Sequence, residues 1–254
     1  SLGAGGWRKA FMLFGGLGIV WVFVLAIFLR DTPPAISQQE RETKPSLKDG
    51  LRAMFVKPSA ILLTLTFGFS NFGDIGFRTW MPTLLQDVYS LPPATAAFHA
   101  VIWFYASGFL GIIVGSRLSD WWRRRGNIGA RLDCNLIGLV LCAPCVFLVS
   151  HAPGGLIGAG VALAAYGFVH GFYDANFIAC FYEVIVPRYR TAAYGLYACG
   201  AFVIGSFAPA ALGMLGSAFS LKTAFSGLGG FYLLAAAFTL VARVAFLARD
   251  YERD

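Results

Sequence analysis

Two stretches of largely apolar sequence carry ionisable side chains at a spacing that suits solute binding or proton exchange. In the first, YGFVHGFYD at residues 166–174, His170 and Asp174 are four positions apart. On an α-helix they share one face with Tyr166 and Tyr173, and the histidine and the aspartate are close enough to hydrogen-bond. An ionisable residue within a membrane is costly unless it faces a cavity or a partner. The pair is therefore predicted to line a cavity or, alternatively, to hold neighbouring helices together.

The second stretch places Thr64, Asn71, Asp74 and Arg78 within an arc of roughly 80° on another helix. Asp74 and Arg78 are again four positions apart. The planar guanidinium of an arginine binds carboxylates through two hydrogen bonds, so Arg78 is a candidate for holding an anionic solute. Two alternatives remain open, namely an internal Asp74–Arg78 ion pair and an arginine that extends to the outer membrane interface.

Both polar stripes, together with nearby aromatic residues, make up the predicted site. Asp74 and Asp174 are predicted to carry the coupling ion, because a carboxylate at membrane depth can exchange a proton or hold a cation. No catalytic residue or cofactor is predicted, and the three histidines are too scattered to form a metal site. The predicted substrate-binding residues are Asn71, Arg78, Trp103, Tyr166, His170 and Tyr173.

The composition indicates that these stretches lie in a membrane. Hydrophobic residues make up 57% of the chain and charged residues 13%, whereas soluble domains carry about a quarter charged residues. Apolar runs of roughly 20 residues can cross the hydrocarbon core as helices. Seven such runs are predicted: Lys9–Leu29, Ser59–Leu85, Ala94–Arg117, Gly129–Ser150, Gly155–Ile185, Thr191–Ser217 and Ala224–Leu247.

The net charge of +7 does not indicate nucleic-acid binding, because the basic residues alternate with the apolar runs. They concentrate after the first, third, fifth and seventh runs, and nucleic-acid binding would need one basic surface on a soluble domain. By the positive-inside rule, residue 1 lies outside the cell and the C-terminus is cytoplasmic. The chain begins with Ser1 rather than Met, which favours a fragment of a longer protein.

The longest polar segment, residues 30–58, follows the first run and is predicted to be a cytoplasmic linker. Its first half is rich in Pro and Gln. Its second half contains SLKDGLRAMF, which is typical of a short amphipathic helix on the inner leaflet, with Ser46 as its N-cap.

The segment GSRLSDWWRRRG at residues 115–126 connects the third and fourth runs on the basic side. Asp120 can accept charge-assisted hydrogen bonds from nearby guanidinium groups and so stabilise one conformation over another. The alternative is an ordinary basic cytoplasmic loop. Glu183 lies near the same membrane surface and is predicted to pair with Arg190 or with an arginine of residues 117–125. The predicted latch residues are Asp120, Arg124, Arg125 and Glu183.

This segment resembles the cytoplasmic loop signature of the major facilitator superfamily, in which a glycine, three residues and an aspartate precede a basic cluster. Ser116 replaces the usual glycine, Trp121 a basic residue and Arg123 the second glycine. The resemblance extends along nearly the whole chain. It includes GWRKAFMLFGGLGIVWV from Gly6, RTWMPTLLQ from Arg78, PRYRTAAYGLY from Pro187 and GAFVIGSFAPAALG from Gly200.

The resemblance implies an all-α polytopic membrane protein with a six-helix half-bundle, made of two three-helix units, and one preceding transmembrane helix. Residues 1–29 would be helix six of the family, residues 30–58 the linker and residues 59–254 the C-terminal half-bundle. The missing N-terminal half of the same transporter would then be a partner, together with the lipid bilayer.

The function implied is secondary active transport by alternating access. The stretch GFYDANFIACFYEVIVPRYRTAAYG is similar to anion:cation symporters for sugar acids and other organic anions. A small polar solute, a sugar or an organic anion, is therefore expected to move with a proton or a sodium ion, in a bacterial inner membrane.

Two other classes also fit part of the sequence. A seven-helix receptor matches the number of spans, but the long first inner loop is unusual for one. A membrane acyltransferase would use His170 and Asp174 as a catalytic base pair, although this motif lies in the middle of a span instead of at a surface. Neither class explains the polar stripes and the loop motif together.

Overall fold

The structure, a computed structural model, describes residues 6–29 and 46–252. Both ranges are helical with connecting turns, and neither contains a β-strand. Seven segments within them are long and apolar enough to cross a membrane, which confirms the expected all-α, multi-span architecture. These segments are Arg8–Phe28, Pro58–Tyr89, Pro93–Arg124, Ala130–His151, Gly155–Val184, Pro187–Ala218 and Leu221–Asp250.

The first compact unit, Ser1–Lys44, contains helix α1, Gly6–Phe28. Apart from Arg8 and Lys9 in its first turn, this helix is apolar, and its sequence contains no acidic residue. Of the linker predicted at residues 30–58, residues 30–45 lie outside the described residues.

The second compact unit begins at Pro45, upstream of the predicted boundary at residue 59. It therefore includes helix α2, Leu47–Phe55, whose N-terminus is capped as expected: Ser46 Oγ accepts a hydrogen bond from the Lys48 amide at 3.0 Å. The Ser46 amide in turn donates to Asp49 Oδ2 at 2.9 Å, which completes a capping box. Within this same unit, Gly50 packs so closely on Ala192 that an added Cβ would lie 2.7 Å from Ala192 Cβ. Helix α2 is thus held by the bundle.

Within residues 46–252, nine further helices form the bundle. They are α3 (Pro58–Tyr89), α4 (Pro93–Arg124), α5 (Ala130–His151), α6 (Gly155–Asp174), α7 (Phe177–Val184), α8 (Arg190–Ser206), α9 (Ala208–Ala218), α10 (Leu221–Val241) and α11 (Leu247–Asp250). A 3₁₀ turn, Pro187–Tyr189, precedes α8, and a π-helical turn, Ala242–Phe246, joins α10 to α11.

Proline and serine residues set several helix boundaries. Pro58 and Pro93 occupy the first turns of α3 and α4, where the missing amide hydrogen costs nothing. Ser220 caps α10 by accepting a hydrogen bond from the Thr223 amide at 3.1 Å. The sixth span breaks at Phe207, two residues before Pro209, because a proline disfavours a continuous helix through the preceding turn.

The fifth span is predicted as one helix but is divided at Ala175 and Asn176 into α6 and α7. The Asn176 side chain compensates for the break, since its Nδ2 donates to the Phe172 carbonyl oxygen at 3.1 Å. Its Oδ1 accepts from Ser119 Oγ on α4 at 2.8 Å. The break therefore lets a polar side chain cross-link two spans.

Helices α4 and α6 approach at backbone distance through glycines. A Cβ on Gly111 would lie 2.1 Å from the Phe168 carbonyl oxygen, and one on Gly167 would lie 2.2 Å from the Phe104 carbonyl oxygen. Small residues permit this close packing in membrane bundles. Helix α6 is fixed in this way against α4.

The expected three-helix units, α3–α5 and α6–α11, are interleaved. Helix α3 packs mainly on α8 and α10, while α5 packs mainly on α6 and α10. Within the first unit, α4 contacts α3 and α5 less extensively than it contacts α6. The core of the bundle therefore lies where α3, α4, α6 and α10 meet, with Phe77, Tyr166, Phe225 and Tyr232 fully buried.

Candidate functional site

Four ionisable residues of α3 and α6 meet inside the bundle, and we call them the polar cluster: Asp74, Arg78, His170 and Asp174. Arg78 Nε donates to Asp74 Oδ1 at 2.8 Å, and His170 Nδ1 lies 3.0 Å from Asp174 Oδ2. The two pairs are linked, because His170 Nε2 lies 3.8 Å from Asp74 Oδ1. The two polar stripes predicted from the sequence therefore face each other.

The four side chains differ in exposure. That of His170 is 3% exposed and that of Asp74 14%, whereas that of Asp174 is 34% exposed and that of Arg78 42%. His170 Nε2 is buried and has no hydrogen-bond partner among the described residues, and 3.8 Å is too long for a hydrogen bond to Asp74. The cluster thus combines a buried pair of titratable groups with an accessible guanidinium.

Aromatic rings form the wall around the cluster. The guanidinium carbon of Arg78 lies 5.4 Å from the ring centre of Phe104 and 5.3 Å from that of Tyr105, within the range of cation–π attraction. The hydroxyl of Tyr166 hydrogen-bonds to that of Tyr232 on α10. These rings hold Arg78 and His170 in place and limit the approach of water to the buried end of the cluster.

Two residues predicted for this site, Asn71 and Trp103, have their hydrogen bonds outside the polar cluster. Asn71 Nδ2 donates to the Ala201 carbonyl oxygen of α8 at 3.3 Å, so its amide faces α8. Trp103 Nε1 donates to His99 Nδ1 at 3.0 Å, and its ring packs on Gly160. Trp103 makes no hydrogen bond or ring contact with Arg78 or His170 among the described residues, and its part in substrate binding stays a prediction.

Tyr166 and Tyr173 both adjoin His170, with ring centres 5.7 and 6.0 Å from that of the histidine. Tyr173 also stacks on Phe177, at 5.5 Å between ring centres. Tyr232 was not predicted, although a tyrosine in the middle of an apolar span is a usable signal, because its buried hydroxyl needs a partner.

A second polar region, the arginine network, joins the ends of four spans. Glu183 of α7 accepts hydrogen bonds from Arg123 of α4 and, at 3.0 Å, from Nη1 of Arg131 of α5. Arg123 also donates to the hydroxyl of Tyr251, which follows α11. The Glu183 side chain is only 8% exposed, so its charge depends on these partners.

The C-terminal residues extend this network to the start of α3. The Glu252 amide donates to the Glu183 carbonyl oxygen at 2.9 Å, and the Glu252 carboxylate pairs with Lys57. Asp250 Oδ2 accepts a hydrogen bond from the Ser59 amide at 3.0 Å. These contacts fasten the end of the last span to the first turn of α3.

The predicted latch is only partly assembled. Glu183 pairs with an arginine of residues 117–125, as expected, but this residue is Arg123 and not Arg124 or Arg125. Arg125 instead stacks on the ring of Trp121 at 3.7 Å. Arg190 Nε donates to the carbonyl oxygens of Tyr182 and Ile185 at 3.1 Å each.

Asp120 is exposed and has no hydrogen bond or ion pair with any residue in the described ranges. The structure therefore does not bring Asp120 together with Arg124 or Arg125. Asp120, Arg124 and Arg125 are all exposed, while Arg123 and Ser119 face the bundle, so Arg123 is the arginine that reaches Glu183.

Comparison with known proteins gives consistent results over most of the chain. An "MFS-type efflux pump" of Mycolicibacterium smegmatis is 24% identical over 258 residues, covering 98% of this chain and 58% of the pump. The "Hexuronate transporter" of Bacillus subtilis is 28% identical over 145 residues, covering 54% of this chain and 33% of that protein.

A solved structure has the same fold. It is a bacterial homolog of the human lysosomal transporter spinster, in an inward-facing and unoccupied conformation. Its TM-score is 0.77 at 18% identity, and the match covers 98% of this chain and 61% of the solved chain. The chain thus spans less than two thirds of the length of each of these three proteins.

A comparison with sequence models of whole families identifies the family of this chain. The sequence model of the Major Facilitator Superfamily matches residues 1–198, which is most of the chain. Together with the seven spans and the shared fold, this match shows that the chain belongs to the Major Facilitator Superfamily.

Proposed function

We propose that this chain is the C-terminal half of a secondary active transporter that carries a small organic anion, such as a sugar acid, together with a proton. The observation that supports this most directly is the Asp74–Arg78 pair beside His170, which combines an anion-binding group with titratable groups. The hexuronate specificity named for the Bacillus subtilis relative agrees with an anionic sugar as the solute.

Arg78 is the proposed anchor for the carboxylate of the solute. It is the most accessible member of the polar cluster, and it lies against aromatic rings that suit the apolar faces of a sugar. Asp74 engages only Nε of the guanidinium, so the terminal Nη groups of Arg78 remain to donate to an incoming carboxylate.

The proton is proposed to reside between Asp74 and His170. The carboxylate of Asp174 only accepts hydrogen bonds, so His170 Nδ1 carries a hydrogen and donates to it. In the neutral ring Nε2 is then an acceptor, and it faces the Asp74 oxygen at 3.8 Å. Two acceptors repel each other, and one proton on either group removes the repulsion.

Charge balance couples the two events. With both aspartates ionised, Arg78 positive and His170 neutral, the cluster carries one excess negative charge. A solute carboxylate alone would double this excess in a poorly solvated site, which is costly. A proton bound with the solute keeps the charge of the site unchanged, so symport in a one-to-one ratio is the expected stoichiometry.

Transport is proposed to require the N-terminal half as well, since substrate sites in such folds lie between two repeated halves and alternate between the two membrane faces. Asp120, Arg124, Arg125 and Glu183 remain the proposed latch, with Asp120 engaged in a conformation other than the one described. We place residue 1 outside and the C-terminus in the cytoplasm of a bacterial inner membrane, following the distribution of basic residues.

The receptor and acyltransferase alternatives receive no support from the family. The acyltransferase would also need His170 to reach an acyl donor, whereas its side chain is 3% exposed and one nitrogen is engaged with Asp174. No catalytic role is assigned to any residue.

The test is transport by the polypeptide that contains both halves, reconstituted in liposomes. An imposed pH gradient, acidic on the side of the solute, should drive uphill accumulation of one member of a panel of sugar acids and dicarboxylates. Uncharged sugars serve as controls. The 254-residue chain alone should not accumulate any of them. Accumulation driven by a sodium gradient at constant pH would show that the coupling ion is sodium, and accumulation of neutral sugars would rule out the role given to Arg78.

A further inference from the structure

An apolar cavity of about 390 Å³ lies between α2, α3 and α8. Its lining shares no residue with the polar cluster. Its walls include Leu51, Met54 and Phe55 of α2, Leu65 of α3, and Cys199 and Ile204 of α8.

The cavity offers nothing to a polar solute. Thr64 lines it as well, but its hydroxyl donates to the Ala60 carbonyl oxygen at 2.7 Å. The methyl carbon of Thr64, Cγ2, faces Gly200: a Cβ added to Gly200 would lie 3.2 Å from it. A sugar or a carboxylate would lose its hydration here without gaining hydrogen bonds, so the occupant has to be apolar over the part that enters.

Basic side chains border the cavity on one edge. At 100° per residue, the faces of α2 follow each other in the order Met54, Leu51, Phe55, Lys48 and Arg52. The first three residues line the cavity and the last two are exposed. Neither Lys48 nor Arg52 has an ion pair with a residue of the described ranges. An apolar recess is thus continuous with a positively charged edge.

We infer that this cavity binds one acyl chain of an anionic phospholipid, whose phosphate is held by Lys48 and Arg52. The volume lies near the lower end of the range for small-molecule sites, about 300–1,000 Å³, which fits a single chain better than a whole lipid. The headgroup must then lie outside, at the basic edge. Clusters of basic residues beside a membrane attract acidic lipids, and helix α2 has the amphipathic character of an interfacial helix.

The inference does not depend on the proposed transport function, and native mass spectrometry of the polypeptide that contains both halves tests it directly. After purification in the presence of equal amounts of phosphatidylglycerol and phosphatidylcholine, one phosphatidylglycerol should remain bound. Cys199→Trp fills the cavity from α8 and should reduce retention at least tenfold. Val203→Trp is the matched control, because Val203 lies on the same helix, is 55% exposed and does not line the cavity. Cys199→Phe serves if the larger substitution prevents folding.

The headgroup contacts are tested by Lys48→Gln and Arg52→Gln, each of which should weaken phosphatidylglycerol binding roughly fivefold. Arg117→Gln, an exposed arginine of α4, should leave it unchanged. Equal retention of both lipids, or full retention by Cys199→Trp, would overturn the inference.

Alkylation of Cys199 distinguishes a lipid in the cavity from a polypeptide segment that covers it. Cys199 is the exposed cysteine of the five, so its reaction with N-ethylmaleimide should be rapid in lipid-free detergent and slow in phosphatidylglycerol nanodiscs. Equal protection in both would show that another segment of polypeptide covers the cavity, and that result would also overturn the inference.

Discussion

His170 and Asp174 are joined through Nδ1 and Oδ2 at 3.0 Å, one helical turn apart on α6. This contact fixes the imidazole orientation, because the neighbouring rings of Phe104 and Tyr166 enclose it on other sides. The second nitrogen consequently points toward Asp74 on α3 and not toward α6 itself. A local pair within one helix therefore determines which atom is presented to another helix.

Asp74→Asn should separate coupling from binding in the two-half polypeptide. The amide cannot release a proton, so we expect exchange of labelled solute across the membrane to continue while pH-driven accumulation is lost. Counterflow and uphill uptake assays measure the two properties separately. Asp87→Asn, an exposed residue of the same helix, is the control and should retain both. Normal accumulation by Asp74→Asn would transfer the coupling role to Asp174 or His170.

Arg78→Ala should weaken anion binding by roughly 10- to 100-fold, since hydrogen bonds to charged groups contribute about 1.5–3 kcal/mol. Arg78→Lys keeps the charge but loses the planar pair of donors, and we expect an intermediate loss. Isothermal titration with the transported anion measures the effect. If both variants bind the anion as tightly as the native protein, then Arg78 only balances the charge of Asp74.

Gly111→Ala should destabilise the bundle by about 1–3 kcal/mol, the usual cost of overpacking, because its Cβ would lie 2.1 Å from a backbone oxygen of α6. Gly227→Ala is the matched control, since no heavy atom lies within 4 Å of its added Cβ. Unfolding in mixed micelles compares the two. Equal stability of both variants would show that α4 and α6 separate easily.

Glu183→Gln and Asp120→Asn make a contrasting pair at the same end of the bundle. The first removes a buried charge that two arginines share, so we expect a loss of about 1.5–3 kcal/mol. The second should leave the melting temperature unchanged and slow turnover of the two-half polypeptide, because Asp120 has no partner in the described part of this conformation. Unchanged turnover would remove Asp120 from the proposed latch.

The sequence was a good guide to contacts within one helix and a poor one to contacts between helices. The Asp74–Arg78 and His170–Asp174 pairs follow from spacing alone, because residues four apart share a helix face. The approach of His170 to Asp74 depends on how α3 and α6 pack, and no local pattern contains this information.

The arginine partners of Glu183 show the same limit of sequence-based prediction. Spacing placed Glu183 near a basic loop, but Arg123 rather than Arg124 faces the bundle because of the rotation of α4 about its axis. The involvement of Arg131 and Tyr251 depends on where α5 begins and where the last span ends. Exposed faces of membrane helices are apolar, so hydropathy alone does not reveal this rotation.

The π-helical turn at Ala242–Phe246 determines the direction about the helix axis in which the side chains after it point. A π turn contains one residue more than an α turn, and one residue corresponds to about 100° of rotation. Arg243, within the turn, donates to Asp133 Oδ1 at 2.8 Å, while Asp250, one short helix later, reaches the Ser59 amide. A continuous α-helix could aim one of these two side chains at its partner but would turn the other away by that angle. The extra residue of the π turn therefore lets one span make contacts with two different neighbours. Deleting it would rotate the C-terminal residues away from their partners, although the side chains that make these contacts would be unchanged.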